Sequence, residues 1–237
     1  FIALAFQSMR KLWFDGIKGS ESVDVFISQV FSECRDTWML IGSNLSVRDL
    51  LVMRTTSSHK KIIADKTLIN HLNSGKITLS DMRISTVTGL IDFFGDNCSQ
   101  IIRLNLEEFI QITDSDIENL SKHFTNLNYL LLKDIAVTNE SATHFAKMIM
   151  LTSLDLSGCR QINDISFLKH LEELTSLNLS ECDQINDFSF LEHCKNLTSL
   201  NLSWCGQIND LSFLQHCKFL TSLDLSSCYQ INDFSFI

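Results

Sequence analysis

Residues 174–196 read LTSLNLSECDQINDFSFLEHCKN, and nearly the same string stands on either side. Residues 151–173 read LTSLDLSGCRQINDISFLKHLEE and residues 197–219 read LTSLNLSWCGQINDLSFLQHCKF. The last unit, LTSLDLSSCYQINDFSFI over 220–237, stops after 18 residues of the 23-residue period. Self-similarity at such a period is the signature of a repeat architecture. Leu154, Leu177, Leu200 and Leu223 keep the period, as do Cys159, Cys182, Cys205 and Cys228. Within each unit the L-x-x-L-x-L segment alternates, which puts its leucines on one side of a short strand. The Q-I-N-D that follows places Asn163/Asp164, Asn186/Asp187, Asn209/Asp210 and Asn232/Asp233 where a turn and a helix N-cap are expected. The closing S-F-L segment is long enough for only a helical turn or two. One unit cannot bury its own leucines, but units stacked at strand spacing, ~4.8 Å, share a continuous apolar ladder.

Looser units precede these: Ile101-x-x-Leu104-x-Leu106 followed by Ile112-Thr113-Asp114, then Leu127-x-x-Leu130-x-Leu132. Ile77-x-Leu79 is read as opening a degenerate first unit that runs on through Phe93, Phe94 and Cys98. The pattern resembles the leucine-rich repeat family, in its cysteine-containing subtype, over roughly residues 101–237. That resemblance implies a right-handed curved solenoid with a parallel sheet on its concave side. Units of 23 residues are shorter than is usual for the subtype, so the convex helices are expected to be stunted.

Composition narrows the function classes. The 237 residues are 45% hydrophobic with 17 Phe, enough core material to exclude global disorder. Residues 1–100 carry a net charge of +1 and residues 101–237 a net charge of −10. The acidic half would repel a phosphate backbone, which argues against nucleic acid; the acidic face suits a protein partner with a basic surface, or serves solubility alone. Phe1–Phe6 is far shorter than the ~20 apolar residues a bilayer span needs, so no membrane partner is expected. It also lacks the basic flank and cleavage site of a secretion signal. There is no proline. A start at Phe1 suggests an excised fragment, and Phe236 and Ile237 break off inside a unit, so that end is expected to continue or to pack against another molecule.

A second motif lies before the repeats. Residues 41–72 read IGSNLSVRDLLVMRTTSSHKKIIADKTLINHL, with apolar positions that fit short amphipathic helices. Ser46 precedes Asp49 by three positions, as in a capping box. The stretch resembles an F-box, the helical module that docks on the Skp-type adaptor of cullin-based ubiquitin ligases. Ile41, Leu45, Ser46, Asp49, Leu50 and Met53 match the first part of that motif, and Asp65, Thr67 and Leu68 the second. Val47 and Lys66 stand where the family usually has proline, and Lys60 and Ile69 where it has tryptophan. The resemblance implies an adaptor-binding surface made of Ile41, Leu45, Asp49, Leu50, Met53 and Leu68. An F-box followed by cysteine-type repeats is the arrangement of ubiquitin-ligase substrate receptors.

Of the eight cysteines, the four at the repeated position recur between apolar neighbours, as small buried hydrophobes do. A ladder of free thiols is expected there rather than disulfides, which points to a reducing compartment, cytoplasmic or nuclear. His193-Cys194 and His216-Cys217 make poor zinc ligands, because adjacent residues on a helical turn diverge by ~100°. The row Asp164, Asp187, Asp210 and Asp233 is explained by capping and needs no cation. With no phosphate loop, nucleophile motif or isolated carboxylate pair, neither a catalytic residue nor a cofactor is expected. A partner site is read from what varies between near-identical units. The outward strand positions are monotonously Ser with Asp or Asn, whereas the residues flanking each repeated cysteine differ. Trp, Tyr and Arg are the side chains that most often anchor interfaces, which selects Arg160, Trp204 and Tyr229, with Glu181 and Asp183 as charged neighbours; neutral drift after recent duplication is the alternative source of the variation.

The expected architecture is therefore an α/β leucine-rich-repeat solenoid over 76–237, preceded by an F-box-like helical domain over 27–75 and an uninterpreted segment over 1–26. The expected function is a non-catalytic adaptor that recruits a protein to a Skp–cullin ligase. The alternative is a stand-alone repeat scaffold whose N-terminal helices only cap the stack.

Overall fold

The computed structural model describes residues 45–56, 58–109 and 111–233. They fall into two units, one ending at His71 and one beginning at Leu72.

In the first unit, helix α1 (Val47–Arg54) starts at Ser46, whose side chain accepts the N–H of Asp49 at 3.2 Å and donates to its carboxylate at 2.8 Å. That interaction satisfies one of the orphan donors of the first turn. Helix α2 (Ser58–Asn73) follows, and the Arg54 guanidinium meets the almost wholly buried Asp65 carboxylate at 2.5 Å. Pairing is what allows a charged group to stay out of water there.

The second unit is built on one parallel sheet of six strands in sequence order. The strands are β1 (Arg103–Asn105), β2 (Tyr129–Leu131), β3 (Ser153–Asp155), β4 (Ser176–Asn178), β5 (Ser199–Asn201) and β6 (Ser222–Asp224). Their central residues form one register row, Leu104, Leu130, Leu154, Leu177, Leu200 and Leu223. A second row, Leu106, Leu132, Leu156, Leu179 and Leu202, is fully buried, as is the row Ile101, Leu127, Leu151, Leu174 and Leu197 that enters the strands. Three leucine-type side chains per rung thus remove apolar area from water without any closed globular core. At β6, Leu223 and Leu225 are half-buried. The expectation about Phe236 and Ile237 falls outside the described residues.

Rung length decides what covers the other side. The register advances by 26 residues from Arg103 to Tyr129, 24 from Tyr129 to Ser153, and 23 at each later step. The longest unit has room for a true α-helix, α4 (Asp114–His123), capped by a full box between Thr113 and Asp116. The 23-residue units carry only five-residue 3-10 turns, Ser166–His170, Ser189–His193 and Ser212–His216, the stunting expected from their length. The Ile77–Leu79 segment forms no strand: it leads into a 3-10 turn at Ser80–Met82 and helix α3 (Val87–Phe94). Its apolar residues cover the start of the stack as helix and turn instead.

Side-chain ladders tie the rungs together. Thr152, Thr175, Thr198 and Thr221 each donate their hydroxyl to a carbonyl one rung earlier, at 2.9–3.0 Å. Asp114, at the start of α4, accepts from the Thr138 N–H, the Thr138 hydroxyl and the Ser141 hydroxyl of the next rung.

Candidate functional site

The site follows the strands, on the loops that carry the repeated cysteines. Each strand of the regular units ends in Asp or Asn, and that side chain turns back on the chain. Asp155, Asn178, Asn201 and Asp224 accept the N–H two residues on, at 2.9–3.0 Å. Asx turns of this kind explain why the position is never anything else in these units.

The next recurring geometry is backbone strain. Asp134, Gly158, Glu181, Trp204 and Ser227 occupy one column, immediately before Ile135 or a repeated cysteine, and all five have φ between 57° and 71°. This left-handed region disfavours an L-residue by about 1–2 kcal/mol. The conformation is held by the neighbouring rung: the N–H groups of Asp134, Gly158, Glu181 and Trp204 each donate to a serine carbonyl of the next rung at 2.8–2.9 Å. The parallel ladder therefore runs beyond the strands and dictates φ regardless of side chain. Gly158 has a reason of its own, since a Cβ there would collide with the Asp134 carboxylate.

Behind this column lie the cysteines. The thiols of Cys159, Cys182, Cys205 and Cys228 donate to the carbonyls of Leu132, Leu156, Leu179 and Leu202 in the preceding rung, at 3.0–3.2 Å. All seven cysteines among the described residues are free and buried. Burial pushes the thiols of Cys159, Cys182, Cys194 and Cys205 up to about 12, so they are neutral packing groups and weak donors rather than nucleophiles. Cys194 and Cys217 lie inside while His193 and His216 face outward, so neither pair converges on an ion. Among the described residues no cluster could hold a metal. The carboxylates of Asp164, Asp187 and Asp210 accept the N–H of Ser166, Ser189 and Ser212 in Asx turns that lead into the 3-10 turns. The N-cap positions of those 3-10 turns are instead Ile165, Phe188 and Leu211, so the row makes turns rather than the expected caps.

Pointing away from this packed layer are the residues that vary. Trp204 is 58% exposed and Tyr229 79% exposed, on adjacent rungs. Arg160 donates to the Glu181 carboxylate at 2.6 Å across one rung, with both side chains largely in water. Such a pair contributes little to stability. Asp183 is exposed one rung along from Arg160, and at Gly206 a Cβ would meet nothing within 4 Å. The five residues selected from sequence thus all lie on one exposed rim.

Two features escaped the sequence. On the outward strand face Arg103 stacks on the Tyr129 ring at 3.6 Å, in the looser first rungs rather than the monotonous later ones. Beside β1 lies a small cleft of about 190 Å³ between residues 72–79 and Arg103, Glu108 and Phe109. The signal for the first was present, since Arg103, Tyr129 and Leu131 break the Ser–Asx monotony of the outward positions. Of the residues expected to face an adaptor, Leu50, Met53 and Leu68 are buried, Leu45 and Asp49 are half-buried, and Ile41 lies outside the described residues. Val52 and Ile62 are the exposed apolar side chains of α1 and α2.

Known family models agree with this geometry. Two Leucine Rich repeat models match, one over residues 149–193 and one over residues 193–211 and 216–233. The second unit is a leucine-rich-repeat solenoid. Among solved structures, an internalin (inlF) of Listeria monocytogenes is 31% identical with a TM-score of 0.48, over 56% of this chain and 36% of that one. The chain thus spans little more than a third of that internalin's length. Internalin C2 of the same organism is 21% identical with a TM-score of 0.36, over 59% of this chain and 77% of that one. A plant peptide hormone receptor, solved in complex with RGF2, is 17% identical with a TM-score of 0.37, over 54% of this chain and 25% of that one. No curated protein gives a significant match. Leucine-rich-repeat proteins serve as protein-interaction scaffolds and are generally non-catalytic. Among the described residues no helix is long and apolar enough to cross a membrane.

Proposed function

We propose that this chain is a non-catalytic protein-binding scaffold that holds its partner at the loop rim, through Arg160, Trp204 and Tyr229 with Glu181 and Asp183 beside them. One observation carries this reading. Position 204 is a left-handed site that glycine occupies in a sister rung, yet it bears a tryptophan, and that indole is 58% exposed. Neither local conformation nor packing asks for an indole there, whereas large aromatic side chains are what interfaces use as anchors. The test is selection of a displayed protein-fragment library on the folded chain. Binders are expected that are lost in a Trp204→Ala/Tyr229→Ala variant and kept in Lys169→Ala. Binders indifferent to the rim pair overturn the reading.

A narrower reading makes the scaffold a substrate receptor that docks on a Skp-type adaptor, in a cytoplasmic or nuclear setting. It is supported by the F-box-like sequence and by the helical form of residues 47–73, begun by Ser46 as that motif requires. Because Leu50 is fully buried, an aspartate there would disrupt the fold. The discriminating variants are Val52→Asp and Ile62→Asp at exposed positions. Capture of a purified Skp-type adaptor by the wild-type chain, abolished by these changes, supports the narrower reading. A folded wild-type chain that captures none removes it and leaves the scaffold.

A further inference from the structure

The rim repeats one geometric relation and leaves it incomplete at one place. The residue after a repeated cysteine reaches the residue before the next one: Arg160 reaches Glu181 and closes an ion pair at 2.6 Å. One rung further, the same two positions hold Asp183, exposed and accepting from the neighbouring Gln184 amide at 3.4 Å, and the exposed Trp204, so neither position supplies a cation. One rung further again the first position is Gly206, where even a Cβ would meet nothing within 4 Å, and beyond it stands the exposed Tyr229. The missing side chain opens a gap between Asp183 and Tyr229 two rungs wide, ~10 Å at strand spacing, with Trp204 beside it. A gap of that width admits a long side chain from outside.

We propose that this gap is a receptor for an arginine or lysine side chain of a basic protein segment, gripped by the Asp183 carboxylate and the faces of Trp204 and Tyr229. The inference rests on the scaffold reading above and adds to it the chemistry of the partner. A cation over an aromatic face is attracted by the ring quadrupole, most strongly by tryptophan, and a carboxylate alongside adds a charge-assisted hydrogen bond. The rim already holds one guanidinium on a carboxylate, that of Arg160 on Glu181, with the acid at the position that Trp204 takes in the next rung. The net charge of −10 over residues 101–237 draws a basic partner and disfavours an acidic one.

The test uses the full chain and two short peptides of the same sequence, one bearing arginines and one bearing citrulline, the uncharged isostere, at the same positions. Affinity is read by calorimetry, and the contact by the change in tryptophan fluorescence that disappears in Trp204→Phe. The arginine peptide is expected to bind saturably and at least tenfold more tightly than the citrulline peptide. Trp204→Ala and Asp183→Asn each weaken it about five- to tenfold, while Asp164→Asn, an acid on another face, leaves it unchanged. Gly206→Gln, which fills the gap, abolishes the preference with the fold retained by circular dichroism. Equal loss in Asp164→Asn would show attraction by net charge alone and overturn the proposal, as would equal affinity for the two peptides. If library selection instead returns acidic or apolar binders that still depend on Trp204 and Tyr229, the proposal falls while the scaffold stands.

Discussion

Replacing Trp204 separately by glycine and by alanine isolates the backbone contribution of the left-handed column, because both changes delete the same indole. At φ 63° an alanine carries the left-handed penalty of about 1–2 kcal/mol, which glycine does not. Glycine's greater freedom in the unfolded chain takes back about 0.4–1 kcal/mol. The Trp204→Gly chain should therefore be more stable than Trp204→Ala by about 0.5–1 kcal/mol, which is about 2 °C in Tm for a protein of this size. Ser199, which opens β5 with strands paired on both sides, provides the opposite control: there glycine should be less stable than alanine by about 0.5–1 kcal/mol. The column makes a further demand at Gly158, where alanine meets both the positive φ and the Asp134 carboxylate. Gly158→Ala should lower stability by more than about 1 kcal/mol by the same conformational penalty. Asp134→Gly in the same chain, which removes the carboxylate without adding a left-handed alanine, should restore part of the loss. The measurements are urea midpoints at constant slope and thermal melts. A Trp204→Ala chain as stable as Trp204→Gly would refute the claim that the neighbouring rung imposes the conformation.

Two further outcomes follow from groups held between rungs. Burial raises the Cys159, Cys182, Cys194 and Cys205 thiols from 9.0 to about 12, so the unfolded chain ionises first on going alkaline. The stability they confer is complete below about pH 9 and is lost between about 9 and 12, at up to about 1.4 kcal/mol per thiol per pH unit. Urea midpoints should fall steeply between about pH 9 and 11, and less steeply in Cys205→Ala; parallel curves would count against it. Asp114 titrates in the opposite sense: burial pushes its carboxyl up, but the hydrogen bonds from Ser141 and Thr138 together outweigh burial and hold it below the ordinary range. Its contribution is present above the ordinary carboxylate value and lost as pH falls. Asp114→Ala should destabilise by about 1–3 kcal/mol, leaving the buried Ser141 hydroxyl unpaired, and should flatten the acid limb of the stability curve.

How far the fold could be read from sequence depends on whether a feature is periodic. The leucine rows, the thiol ladder and the turn-forming role of Asp164, Asp187 and Asp210 all recur every rung, and recurrence reports local packing directly. Periodicity has no power to tell a buried face from a partner-facing one. The spacing of Leu50, Met53 and Leu68 gave only helices; the adaptor came from the F-box resemblance, and in the structure these three side chains are buried. The left-handed column was invisible for a different reason. Its usual sequence marks are glycine, asparagine and aspartate, but Glu181 and Trp204 adopt it with their N–H groups bonded to the next rung, and Ser227 adopts it at the last described rung. The Arg160–Glu181 pair likewise crosses between rungs, and its offset is set by how the loops lie against one another rather than by the repeat. What the repeat does offer is a background. In a stack where each rung solves the same packing problem, a residue that differs from its column and faces water is not explained by that problem. Trp204 differs at a conformational cost its column-mate Gly158 avoids, Gly206 differs by opening space, and Tyr229 differs by lying almost wholly in solvent. Three departures of unlike kind converge on one stretch of rim, the arrangement that the proposed cation receptor requires and that the Trp204, Asp183 and Gly206 variants test against neutral drift after duplication.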